Sequence, residues 1–328
     1  MKKSSSRVIN TWESIDIEKV RDVSWLAIKF FMSENTKKFS KEKLTETVWG
    51  MLLSRFAKDK RKLMGAALVC GDMKGESSYF ENSPIIKFIQ VDGFDISSTG
   101  IKSYNSKQFK FKRYMVDCND LVLKPNYYHF IIGSHGVHHV MNLGGLFYQA
   151  NTALKPKGII FLNEWIGPNY LQIPLINHIF AGLLLLILFP NPKSRTTAAD
   201  RVKGLWVQMR PAAFDPSEAC NSTELWPQYT KYFRPIRTFF YGGLCYPVFE
   251  GLGERIDESL FINKIRIRIV YYTELFLTSL KIIKPLFVLS IGTKRELDAR
   301  NKPNLQTRIY FLLNKRKVYF ILKKLRII

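Results

Sequence analysis

Between Gly65 and Asn163 the chain repeats one pattern. A short apolar run closes on a glycine or an acid, and a helical stretch or a turn leads to the next run. Runs of this length suit strands buried on both faces, and such strands join in parallel only through crossovers. Ala66–Cys70 is the first, ending at Gly71. Ile86–Asp95 holds the second, and Phe109–Val116 is the third, ending at Asp117. Tyr128–Gly133 is the fourth and Ile159–Asn163 the fifth. A helix is expected from about Leu143 to Leu154, and Pro156-Lys-Gly158 reads as a turn into the fifth strand. Pro235–Tyr241 and Leu286–Thr293 extend the count to seven strands, with the apolar helix Val270–Ile283 between them. The spacing predicts an α/β fold, a doubly wound and mostly parallel seven-stranded sheet.

The flanks differ from this core. Residues 1–63 read as a helical N-terminal cap with two apolar patches, one at Trp25–Phe31 and one at Val48–Phe56. Residues 64–294 form the core, with a helical lid insertion at about 166–260, and residues 295–328 form a basic amphipathic extension. Within the insertion, Ile179–Phe189 is an unbroken apolar run, too short to span a bilayer, and reads as a buried or interface-lying helix. Asp215-Pro-Ser-Glu218 reads as a capping box opening a helix that runs to about Tyr232.

Of the net charge of +23, residues 1–63 carry 15 basic against 8 acidic groups (+7). Residues 64–263 carry 19 against 16 (+3), and residues 264–328 carry 16 against 3 (+13). Basicity thus sits at the ends, a pattern suited to an anionic surface rather than to a site built for an anionic substrate. The tail Arg308–Ile328 alternates basic and apolar clusters, as a segment lying on an anionic bilayer does. Nucleic acid is not an expected partner, because no aromatic-basic strands of a known RNA module are present. Residues 1–24 hold no apolar h-region, so no secretory leader is expected. The four cysteines form no CxxC pair or zinc-finger spacing, so a cytoplasmic setting without metal is expected, with peripheral contact at the inner face of the membrane.

A nucleotide-like cofactor on such a sheet binds beyond the carboxyl ends of the strands, where strand order reverses. Three features belong there: a glycine turn after the first strand, an acid closing the second, and a polar residue after the third. Gly71-Asp-Met-Lys-Gly75, Asp95 and Asp117-Cys-Asn119 supply them in that order. Asp72 and Glu76 flank the glycine turn, which opposes a pyrophosphate and suits a ligand bearing a sulfonium and an ammonium group.

These residues resemble class I S-adenosylmethionine-dependent methyltransferases, and most of all a bacterial subgroup linked to polysaccharide or secondary-metabolite pathways. Leu68–Glu76 is similar to the first motif of that family and Val91–Ser97 to its ribose motif. Phe130–Leu143 is similar to the segment after the fourth strand, and Ala153–Pro168 to the late motif. The likeness spans about residues 45–294, with Val69 standing where the family has a glycine and another glycine missing near Met73.

The resemblance implies a Rossmann-like core and S-adenosylmethionine as cofactor. It places Gly71 and Gly75 beside the methionine arm, Asp95 at the ribose, and Asp117 and Cys118 at the adenine, with Asp72, Ile96 and Ser134 completing the cofactor-binding set. His135, His138 and His139 cluster after the fourth strand, and a histidine suits a general base at neutral pH. His135, His139 and Glu164 are the catalytic candidates; His138, Trp165 and Tyr241 are assigned to the substrate side and lid. The expected substrate is a small molecule, with the hydroxyl of a glycan, lipid-linked or secondary-metabolite precursor as acceptor. Two other readings use the same residues: a non-catalytic methyltransferase-like binding protein at a membrane, and a nicotinamide-dependent oxidoreductase.

Overall fold

The computed structural model describes residues 8–10, 25, 28–40, 63–79, 89–97, 110–189, 215–250 and 256–297. The apolar patch at Val48–Phe56 and the tail beyond residue 297 lie outside them.

The apolar runs of the sequence become β1 (Leu63–Leu68), β2 (Ile89–Asp95), β3 (Lys110–Met115), β4 (Tyr128–Ser134) and β5 (Leu154–Trp165), followed by β6 (Phe233–Tyr241) and β7 (Phe287–Lys294). They form one mostly parallel, seven-stranded sheet in the order β3-β2-β1-β4-β5-β7-β6, a Rossmann-like arrangement. Parallel pairing sets Leu63 beside Ile89 and Leu68 beside Phe94, and sets Gly65 beside Phe130 and Leu68 beside Gly133. All six residues of β1 are buried, as a parallel strand covered on both faces requires. β3 pairs with β2 from Gln90–Lys110 to Asp95–Met115. It is one edge of the sheet, and its exposed Lys110 and Lys112 hinder further strand addition.

The helices are α1 (Lys29–Ser40), α2 (Lys74–Ser78), α3 (Leu143–Ala153), α4 (Leu175–Leu188), α5 (Leu225–Tyr232), α6 (Cys245–Phe249) and α7 (Phe261–Ser279). None is long and apolar enough to cross a membrane. The capping box at Asp215 does not open a helix. Asp215 Oδ1 accepts from the Ser217 N–H at 2.8 Å and from its hydroxyl at 2.7 Å, closing a turn, and α5 starts ten residues later. Ala219 takes positive φ, 47°, and so turns the chain out of helical geometry four residues on.

The chain divides into two compact units. One comprises residues 45–162, 224–237 and 290–328, and the other residues 1–44, 163–223 and 238–289. In the first, α3 packs on α5 through Phe147 against Tyr229 and Phe233. The buried Asn151 amide closes this packing by donating to the carbonyls of Tyr232 and Arg295 at 2.7 and 2.9 Å. In the second, Trp25, Phe31, Tyr241 and Phe287 form an aromatic cluster. There the buried Glu274 of α7 accepts the N–H groups of Gly242, Leu244 and Cys245, each at 2.7 Å, and so fixes the turn between β6 and α6.

Candidate functional site

The strand order reverses at β1. From there the chain runs outward to β2 and β3, then returns to place β4 on the other side. A crevice beyond the carboxyl ends of β1 and β4 follows from that reversal. Four loops, all in the first unit, reach its rim, and hydrogen bonds join them.

The loop after β1 meets the end of β2. The Gly71 N–H donates to Asp95 Oδ2 at 2.8 Å, and the Cys70 N–H to the Phe94 carbonyl at 3.2 Å. Asp95 Oδ1 accepts the Ser97 N–H at 2.8 Å, so each carboxylate oxygen already holds one backbone N–H. The Ile96 N–H also acts on this carboxylate, and an ionised carboxylate has about four acceptor positions, which leaves capacity for a further hydroxyl donor. Burial pushes the Asp95 carboxyl above its ordinary pKa; the N–H groups of Ser97 and Gly71 and the nearby His139 pull the other way.

The loop after β3 is built on Asp117, which caps a short 3-10 turn at Cys118–Asp120 by accepting the Asn119 N–H at 2.9 Å. Cys118 lies against the end of β2, its thiol 3.8 Å from the Phe94 carbonyl. Burial raises the pKa of the Cys70 and Cys118 thiols, so both stay neutral near pH 7. Asn119 also bridges to the loop after β4. Its Oδ1 accepts the Asn142 N–H at 2.9 Å, and Asn142 in turn caps α3 through the Gly145 N–H at 3.1 Å. The fourth loop holds Ser134, whose hydroxyl lies 3.2 Å from the Tyr79 hydroxyl, and the paired rings of His138 and His139, 4.4 Å apart.

The backbone of this rim is unusual. Val69, Met73 and His135 all adopt positive φ, at 51°, 65° and 55°. L-residues pay for that region, β-branched valine most of all, and such positions gather at ligand-binding loops. At Val69 and Met73 the backbone thus keeps a glycine-like path without glycine. Gly136 explains part of the constraint. A Cβ there would lie 2.2 Å from the Val69 carbonyl oxygen, so the two loops touch backbone to backbone. At Gly71 (φ +49°) and Gly75 an added Cβ meets nothing within 4 Å, so both face open space.

Ten candidates named from sequence thus share one rim: Gly71, Asp72, Gly75, Asp95, Ile96, Asp117, Cys118, Ser134, His135 and His139, with the buried His138 beside them. Glu164, Trp165 and Tyr241 belong to the second unit. Glu164 is fully buried at the end of β5. Trp165 is a core residue whose indole N–H donates to the Pro168 carbonyl at 3.2 Å and whose ring packs on Phe287 and Tyr246. The Tyr241 hydroxyl donates to Asn163 Oδ1 in a short hydrogen bond. Sequence reasoning missed Ser97, Gly136 and the bridging role of Asn119. Only the asparagine carried a signal, standing beside an aspartate after a strand.

No family model matches the chain, and no curated protein matches it. Solved structures do. One is phosphoethanolamine N-methyltransferase 2 of Haemonchus contortus in complex with S-adenosyl-L-methionine, at 14% identity and a TM-score of 0.41. The match covers 75% of this chain and spans only about half (51%) of that one. Another is geranyl diphosphate C-methyltransferase from Streptomyces coelicolor, at 13% identity and a TM-score of 0.41, covering 74% of this chain and 76% of that one. A third is an S-adenosylmethionine dependent methyltransferase from Mesorhizobium loti, at 16% identity and a TM-score of 0.40, covering 76% and 98%.

Proposed function

We propose that the chain binds S-adenosylmethionine at the switch-point crevice and transfers its methyl group to a small-molecule acceptor. The observation that carries this reading is Asp95: a buried carboxylate closing β2, tied to the glycine turn by one oxygen and with acceptor capacity left. A ribose hydroxyl of an adenosyl ligand matches that capacity. Gly71 and Gly75, open on their Cβ sides, suit the methionine arm. Asp117 and Cys118 flank the adenine. Asp72 and the buried Glu76 oppose a pyrophosphate, which argues against a dinucleotide.

S-adenosylmethionine, when bound, supplies an electrophilic methyl group on a sulfonium. The chain's own contribution is to position and to move one proton. His135 or His139, on the loop after β4, takes the proton from an acceptor hydroxyl as it attacks. We take the acceptor to be the hydroxyl of a glycan, lipid-linked or secondary-metabolite precursor, and the setting to be cytoplasmic with the basic tail at the membrane surface.

A second reading, a methyltransferase-like binding protein without turnover, draws support from Val69 and Met73 in the glycine turn. Calorimetric titration with S-adenosylmethionine, S-adenosylhomocysteine and NAD in parallel tests the first reading. It requires binding of both adenosyl ligands and none of NAD; failure of both adenosyl ligands removes it.

A further inference from the structure

The second unit carries two helices whose outward faces are apolar, and no element of the site uses them. α4 holds no charged residue, and Ile179, Leu183, Leu186 and Ile187 line its exposed side, Ile187 at 71% exposure. On α7 the exposed Phe261, Ile269, Tyr272, Phe276 and Leu280 recur at spacings of three, four and eight, one continuous stripe on a helix. Phe261 is 77% exposed and Phe276 61%. The opposite side, with Ile267, Val270, Tyr271 and Leu277, is buried.

The two helices are tied together at both ends. Asn177, in the first turn of α4, donates to the Lys284 carbonyl just beyond α7, at 2.7 Å. Phe189, at the end of α4, lies under the Arg266 guanidinium near the start of α7, at 5.2 Å. Both also pack on α6.

Charge decides what such a face meets. Lys264 and Arg268 flank the α7 stripe on one side and Arg266 on the other, and Lys281 and Lys284 follow at its end. The helix has one acid, Glu274, and that is buried on three backbone N–H groups. An apolar stripe between basic borders, on a helix that cannot span, is the pattern of a helix lying in the plane of a membrane. A second copy of the chain placed on the same face brings basic borders against basic borders, which is unfavourable. Anionic headgroups neutralise them. We infer that α4 and α7 form a membrane-docking surface that inserts its apolar stripes into an anionic leaflet.

The test uses the full chain with one introduced cysteine, Phe276→Cys or Ile187→Cys, labelled with an environment-sensitive fluorophore. The four native cysteines are buried and do not compete for label. Labelled protein is mixed with phosphatidylcholine vesicles with and without phosphatidylglycerol. Both probes are expected to shift to the blue only with the anionic vesicles, and the shift is expected to weaken as salt is raised. Unlabelled Ile187→Asp/Phe276→Asp is expected to bind those vesicles about tenfold or more weakly, with an unchanged circular dichroism spectrum. Three results overturn the inference: no binding, binding with both probes unshifted, or a shift that follows protein concentration without vesicles. The last identifies a second copy as the occupant.

Discussion

Replacing Val69 and Met73 by glycine separates two contributions that coincide in the native loop. Both residues hold positive φ, 51° and 65°. An L-residue in that region is strained by about 1–2 kcal/mol, which glycine removes. Glycine in turn gives back roughly 0.5–1 kcal/mol in backbone entropy. The side chains then decide. Val69 is half-buried, so its loss forfeits about 1 kcal/mol of apolar burial, and the three contributions nearly cancel. Met73 is fully buried, and truncating a buried methionine costs about 2–5 kcal/mol. Val69→Gly is therefore expected to match the parent within about 1 kcal/mol, and Met73→Gly to fall about 2–4 kcal/mol below it. Urea denaturation followed by circular dichroism and by fluorescence, both variants beside the parent, gives the comparison. Equal losses at the two positions, or a large loss at Val69 alone, refute the reasoning.

Three further outcomes follow from the described geometry. Glu274→Gln sets an amide donor against backbone N–H donors and is expected to destabilise by about 2–4 kcal/mol; a thermal scan reads this as a drop of roughly 3–6 °C. Asp95 has a folded pKa raised above 3.8, so its protonated form favours the folded state. Its contribution is full below pH 3.8 and is lost as pH rises through the raised value. The parent should thus lose stability relative to Asp95→Asn as pH increases above that point, and denaturation midpoints across acidic pH check the sign. The four cysteines are buried, and burial raises their pKa values, that of Cys220 to about 11. A thiol-specific reagent at neutral pH should leave the native chain nearly unreacted and find all four after denaturation.

The sheet was legible because buried parallel strands announce themselves as apolar runs closing on turns, and all seven appear within a few residues of the reading. The deviations have local causes. The first strand begins at Leu63 and stops at Leu68, since Val69 turns out of extended geometry. The fifth absorbs the expected turn at Pro156–Gly158, where Lys157 takes positive φ inside the strand. The helix expected at Asp215 failed because a capping pattern carries no sign of the positive φ that Ala219 adopts four residues on. At the candidate site, Asp95 and Asp117 were visible as acids closing strands. The bridges that join the loops, Asn119 to Asn142 and Val69 to Gly136, link residues too far apart for any periodicity to pair them. The same holds for Glu274, whose three partners lie about thirty residues upstream.

In the proposed function the Asp95 carboxylate at the close of β2 holds an adenosyl ribose. Hydrogen bonds to a charged group contribute about 1.5–3 kcal/mol each. Calorimetric titration of S-adenosylhomocysteine into parent and Asp95→Ala therefore predicts at least a tenfold rise in Kd, with secondary structure unchanged. Equal affinity in the two proteins contradicts it.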